Sequence, residues 1–414
     1  MPYSTRFLQS PVMAVLLPVL GLLVFGSVSG QDIAGQWDAR LKCPGGAIRF
    51  GLELNFDQGK SIGLLRNGDE QIEIPEVKMN GESIEIKIDH YDSILKLKRM
   101  PDDRLVGSWR KRRGLAQWVE MECVATRHVG VESENADAYL GRWRVTFSKS
   151  KEPAVAVFKK AESTNQIMGT FLTTTGDYRY LAGRVVDGRL VISCFDGAHA
   201  FLFDAVIDKE SGNQTLRGNF WSANTWHETW TATKDRNAKL PDSFKQTAAT
   251  AAAADLGKLA FPDLDGAMKN LDDPTFAGKA RIIYVFGSWC PNCHDAGKYF
   301  SELEERYGDQ GLSILGLAFE LTGDFERDAT QVRKYLKRQG ATYPVLIAGV
   351  NDKADATRRL TILDRVRSYP TTIFLDAHGE VKAVHTGFTG PATGEAYKEL
   401  QSKFETLIVG LLNE

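Results

Sequence analysis

The 414-residue chain has no charge excess of either sign: 51 Lys and Arg face 53 Asp and Glu, a formal net charge of −2. There is no basic field to gather nucleic acid, and none is expected as a partner. After residue 30 no apolar run is long enough to cross a bilayer, so the mature chain is expected to be soluble. Methionine is missing after Met268, which deprives any haem reading of a common axial ligand. There are only five cysteines, and the close pair Cys290 and Cys293 has no second pair to complete a zinc site. Neither metal nor cofactor is expected.

The start of the chain breaks this pattern. Arg6 precedes the apolar run Val12 to Phe25, and small residues follow in "GSVSGQD". A cation, a short apolar core and small residues in that order form an export signal over residues 1–30, with Gln31 the first mature residue. Position 31 holds no Cys to carry a lipid. The expected location is the periplasm or cell envelope; the alternative is an uncleaved segment that anchors the chain to a membrane. Disulfides persist outside the cytoplasm, and an odd cysteine count leaves at least one thiol unpaired or catalytic.

The first half reads as one unit written twice, over residues 31–128 and 137–234. Trp37 meets Trp143 and Ile62 meets Met168 at an offset of 106 residues. Gly81 meets Gly188 and Ala125 meets Ala232 at 107, and Trp118 meets Trp226 at 108. Short alternating runs such as "SIEIKI" and "RLVIS", separated by Asn-Gly and Asp-Gly turns, are strand signals. Each copy is therefore expected to be a small all-β barrel or curved sheet. Cys43 lies early in the first copy and Cys123 in its last strand; a Cys43–Cys123 disulfide would staple a closed sheet. Cys194 is expected as a buried free thiol. His227 and Glu228 are too few for a metal site. An Ala- and Thr-rich stretch, residues 235–256, reads as a linker.

From residue 257 the periodicity changes. "RIIYVF" is a continuous apolar run suited to a strand buried on both faces. "GSWCPNCHDAGKYFSELEERY" follows, with Ala296, Phe300, Leu303 and Tyr307 on one helical face. Cys290 and Cys293 therefore stand where a buried strand hands over to a helix. A thiolate there is stabilised by free backbone N–H groups and the helix dipole. Cys290 is expected to attack and Cys293, a turn further in, to resolve. His294 makes the motif C-x-x-C-H, a haem-attachment pattern, but it is read as a helix-surface residue.

Taken with "FPDLDG", "LGLAFE" and "YPTTIFLD", these motifs make residues 257–414 resemble exported thioredoxin-like thiol–disulfide oxidoreductases of the TlpA/ResA type. The resemblance implies an α/β thioredoxin fold, ordered β-α-β-α-β-β-α, behind the all-β half. It also implies disulfide exchange with protein thiols and disulfides, and a membrane protein as electron donor if the direction is reductive. Pro370, after Tyr369, matches the family's cis-proline beside the dithiol, and Trp289 would line the same substrate groove. Thioredoxin's buried acid is replaced here by Tyr284; Glu320 matches the carboxylate thought to serve instead. The other function classes are a peroxiredoxin-like peroxidase, whose P-x-x-x-T-x-x-C loop is absent, and an envelope binding or scaffold protein acting through the β half.

Overall fold

The computed structural model describes residues 1, 3, 33–57, 60–130, 134–161, 166–208 and 214–414. All but two residues of the expected export signal lie outside the described residues. Among the described residues no helix is long and apolar enough to cross a membrane.

The first β unit is built from strands at Gly35–Cys43, Gly46–Asp57, Lys60–Asn67, Glu70–Ile74, Val77–Asn80, Ser83–Ile88, Ser93–Arg99, Leu105–Arg112 and Trp118–Arg127. Alternation sets their faces: in "SIEIKI" the isoleucines turn inward, while Glu85 and Lys87 stay at the solvent side. The strands form one sheet in which the first pairs with the last and the free edges are Glu70–Ile74 and Val77–Asn80. This barrel is therefore open at one seam.

The second unit repeats that order. Its long strands are Gly141–Phe147, Ala154–Lys160, Ile167–Thr173, Leu181–Val186, Arg189–Phe195, Ala200–Asp208, Thr215–Ser222 and Trp226–Lys234, with a two-residue strand at Gly176–Asp177. Here Ala154–Lys160 also pairs with Ile167–Thr173, so every long strand has two neighbours and the barrel closes. Phe203 fills the interior, stacked between Phe171 at 4.3 Å and Phe220 at 4.4 Å. The core of the first unit instead takes in Phe195, Ala198, Ala200, Leu202 and Ala223 from the second.

One expectation fails. Cys43 and Cys123 are both thiols and are not joined. Their strands are neighbours, but the ladder sets Cys123 opposite Leu41, two residues short of Cys43. Diagonal neighbours of this kind stand about 7–8 Å apart, and a disulfide needs its Cβ atoms at roughly 3.8 Å. The Cys43 thiol donates instead to the Ala223 carbonyl at 3.4 Å. Cys194 is a fully buried thiol.

The C-terminal half is the expected thioredoxin-like α/β fold behind an all-β half. Its central strand β1 (Ala280–Phe286) is buried at every residue. Helix α1 (Pro291–Tyr307) follows, then β2 (Leu312–Glu320), α2 (Phe325–Gln339), β3 (Val345–Val350), α3 (Lys353–Arg359), β4 (Thr371–Asp376), β5 (Val381–Thr386) and α4 (Glu395–Leu412). The sheet order is β3-β2-β1-β4-β5, with β4 and β5 antiparallel to their neighbours. Strand β3 and helix α3 are additions to the expected order; β3 is a short edge strand whose apolar run ends at a Gly. Residues 235–256 are docked on this domain: Thr247 meets Thr386 at 2.8 Å, and Phe244 packs on His385 and Phe404.

Candidate active site

Cys290 is the N-cap of α1, in extended conformation, and Pro291 occupies the first helical turn without needing a donor. The Cys290 carbonyl accepts from Cys293 N at 3.0 Å and His294 N at 3.1 Å, which starts the helix. Cys290 is 7% exposed and Cys293 is fully buried. The Cys290 thiol is pulled below the ordinary thiol range, first by the hydrogen bond from the Cys293 side chain. Backbone N–H groups of Cys293 and Asn292 and the charge of Lys111 add to this, against burial. Burial pushes the Cys293 thiol far up, and the neighbouring Cys290 charge adds to it.

The expected groove residues gather at this thiol. Cys290 Sγ faces the Tyr369 carbonyl at 3.5 Å, and the Tyr369-Pro370 peptide bond is cis. Trp289 donates to the Phe319 carbonyl at 2.9 Å and sets its ring against Tyr369. Glu320 ends β2 with no exposure, and both its oxygens accept from Ser288, from the backbone N–H and the hydroxyl, each at 2.7 Å. Burial pushes its carboxyl up to about 7, against those two hydrogen bonds. Tyr284, in the place of the missing acid, donates to the Cys293 carbonyl at 2.6 Å, as does Tyr335 at 2.9 Å.

His294 is not a surface residue. Its Nε2 donates to the Ser288 carbonyl at 2.7 Å, and Gln339 donates to its Nδ1 at 2.7 Å. Rings of His90 and Tyr91 from the first β unit cover it. Burial holds His294 down to about 3, so it is a neutral packing residue. His227 and Glu228 lie apart from the dithiol: His227 faces Asn219, and Glu228 accepts from the Lys149 backbone.

A set of residues with no local motif completes the surroundings. Arg179, from the second β unit, is buried among carboxylates of all three bodies: Glu70, Asp196 and Asp295. It also donates to the Pro291 carbonyl at 3.3 Å, and Asn292 Nδ2 donates to the Asp177 carbonyl at 3.2 Å. Burial pushes Asp295 up to about 7 despite Arg179. Burial also opposes the charge of Asp196, yet His199 and Arg179 hold it below the ordinary carboxylate range. Both β units thus close over the first turn of the dithiol helix.

Residues 237–400 match the family described as Redoxin. The C-terminal region is a Redoxin domain. It resembles the thiol-disulfide oxidoreductase ResA of Halalkalibacterium halodurans, 27% identical over 33% of this chain and 70% of the relative. ResA of Geobacillus kaustophilus is 29% identical over 35% of this chain and 74% of its own length. A thioredoxin-family thiol:disulfide interchange protein from Chlorobium tepidum TLS superposes with a TM-score of 0.28 at 22% identity, over 37% of this chain and 92% of that one. The Redoxin domain makes the chain a thioredoxin-like thiol–disulfide oxidoreductase.

Proposed function

We propose that the protein is an exported oxidoreductase that exchanges disulfides through Cys290-Pro291-Asn292-Cys293. The reading rests on the contrast between two thiols one helical turn apart: the capping thiol ionises readily, and the inner one resists. The Cys290 thiolate attacks one sulfur of a substrate disulfide, that S–S bond breaks, and the first thiolate leaves. Cys293 then attacks the Cys290 sulfur and releases the second thiolate. The dithiol ends as a disulfide, having passed two electrons to the substrate.

Cys293 must lose its proton for the second step. Glu320, held by Ser288 two residues before Cys290, is the carrier; a carboxyl that titrates near neutrality both accepts and donates. Tyr369, Pro370 and Trp289 form the edge along which substrate docks. Arg6 and the apolar run Val12 to Phe25 support export. Thiol and disulfide partners in the envelope follow, with a membrane donor of electrons if the direction is reductive.

Alkylation followed by mass mapping tests the roles. Cys290 should react with iodoacetamide near neutral pH well before Cys293. Cys290→Ser should abolish exchange, and Cys293→Ser should accumulate mixed disulfides. Glu320→Gln should make the thiols titrate at lower pH, because a negative charge near Cys293 is gone, and should slow turnover. Faster alkylation of Cys293 would reverse the assignment of roles, and wild-type behaviour of Glu320→Gln would remove the proton carrier.

A further inference from the structure

Beside the dithiol, where the three bodies meet, lies a cavity of about 200 Å³. Its wall runs from Trp289, the neighbour of Cys290, across Lys111, Arg112 and Arg113 of the first β unit to His199 of the second. Among the described residues no Asp or Glu lines it. Arg112 is paired with Asp92 at 2.6 Å and His199 with Asp196 at 3.1 Å. Among the described residues, Lys111 and Arg113 meet no carboxylate: Lys111 donates to the Ala198 carbonyl at 3.0 Å and Arg113 to Thr225 Oγ1 at 3.2 Å.

The part-buried cation Lys111 needs an explanation, because charge taken out of water is costly unless it is answered by the opposite sign, while Arg113 stands exposed beside it. Lys111 shows that cost: burial brings its ammonium down to about 8, with the charges of Asp196 and Cys290 opposing the fall. The position of the cavity adds a second constraint. Cys290 is covered by the β units, through Asn292 on Asp177 and Arg179 on Pro291. Cys290 is only 7% exposed, its neighbour Trp289 lines the cavity, and what fits within about 200 Å³ is a small molecule.

We propose that this cavity binds the carboxylate of a small disulfide substrate and presents its S–S bond to Cys290. The proposal rests on the dithiol reading above and narrows its substrate class to low-molecular-weight anionic disulfides. Electrons balance as in that reading: one disulfide becomes two carboxylate-bearing thiols, and the reduced dithiol becomes the Cys290–Cys293 disulfide. Arg113, exposed at the rim, meets the anion first; Lys111 holds it deeper, where its charge also favours the attacking thiolate.

The test is a single turnover of the pre-reduced full-length protein with disulfides of similar size and different charge: 3,3′-dithiodipropionate, 2-hydroxyethyl disulfide and cystamine. Insulin serves as a folded protein disulfide. Loss of the two thiols is followed by quenching and mass analysis. The dianion should react about tenfold faster than the neutral compound, the scale of one charge-assisted hydrogen bond, with the dication slowest and insulin slower than the dianion. In Arg113→Gln, and further in Lys111→Gln, the ratio of dianion to neutral rates should fall toward one. Because Arg113 is exposed, its variant is readable even if Lys111→Gln folds poorly. Equal rates for the three compounds, a ratio unchanged in Arg113→Gln, or insulin reacting as fast as the dianion would each overturn the cavity proposal while leaving dithiol exchange intact. No reaction with any of the four would overturn both.

Discussion

The two β units share one strand order and differ at one seam. In the second, Ala154–Lys160 pairs with Ile167–Thr173 and the barrel closes on its own aromatic core. In the first, the strands Glu70–Ile74 and Val77–Asn80 are left as edges, and the interior is completed with side chains borrowed from its twin. A duplicated unit need not be duplicated in its self-sufficiency. The closed copy behaves as a scaffold and the open copy as a part fitted to it. Each contributes what its state allows at the dithiol helix: the closed copy sets a buried cation, Arg179, and the fitted copy brings Glu70, His90, Tyr91 and Lys111.

The largest test of this division is Arg179→Leu. It strands Glu70, Asp196 and Asp295 in the interior, and breaking a buried ionic cluster by removing one sign costs about 3–5 kcal/mol. Urea unfolding of the whole chain should show it, with accelerated hydrogen exchange in both β units and at the start of α1. A loss confined to the second unit would mean that the cation does not join the bodies.

Next comes Leu202→Ala. This residue lies on a strand of the closed barrel but is buried in the open one's core, and the cavity should cost roughly 2–5 kcal/mol. Exchange protection should fall first in residues 33–127. Protection lost first among Phe171, Phe203 and Phe220 would instead make the two cores one.

A pH series sharpens the junction. Asp295 titrates near 7 in the folded chain, raised by burial, and near ~4 when unfolded. The unfolded chain therefore gives up this proton first as pH rises, so the Asp295 contribution to stability is fullest below about 4 and is lost as pH climbs through 7. Asp295→Asn should flatten that decline by an amount on the order of 2 kcal/mol. An unchanged slope would show that Asp295 is not the titrating member of the cluster.

The smallest effect is expected at the cysteines of the open unit. A non-reducing mass map should find Cys43 and Cys123 as separate thiols, and a phosphine reductant should move stability by less than about 0.5 kcal/mol. A mapped Cys43–Cys123 bridge would require the ladder between the first and last strands to slip.

Local pattern carried much of this architecture. "RIIYVF" followed by a Cys-x-x-Cys helix start was legible because a doubly buried strand and an amphipathic face leave different periodicities. The landmark tryptophans made the repeat visible for a similar reason: Trp37 and Trp143 fill the same place in each unit. Glu320 and Pro370 came from family resemblance, since nothing in "LAFE" or "SYPT" alone says what it faces. Arg179, Lys111 and His90 were invisible. Each is an ordinary polar residue on a strand or turn, brought to the dithiol from about 100–200 residues away by the docking of whole units. The same docking buried His294, which its own helix would have left in water. Register was the other blind spot, because two neighbouring strands can hold their cysteines one diagonal step too far apart.

The borrowed core also has a consequence in time. The strands of the first unit are complete at Arg127, but the side chains that finish its interior extend to Ala223. At synthesis rates of about 5–20 residues per second, the first half of the repeat waits roughly 5–20 s for its missing pieces. Its folding clock is set by its neighbour downstream.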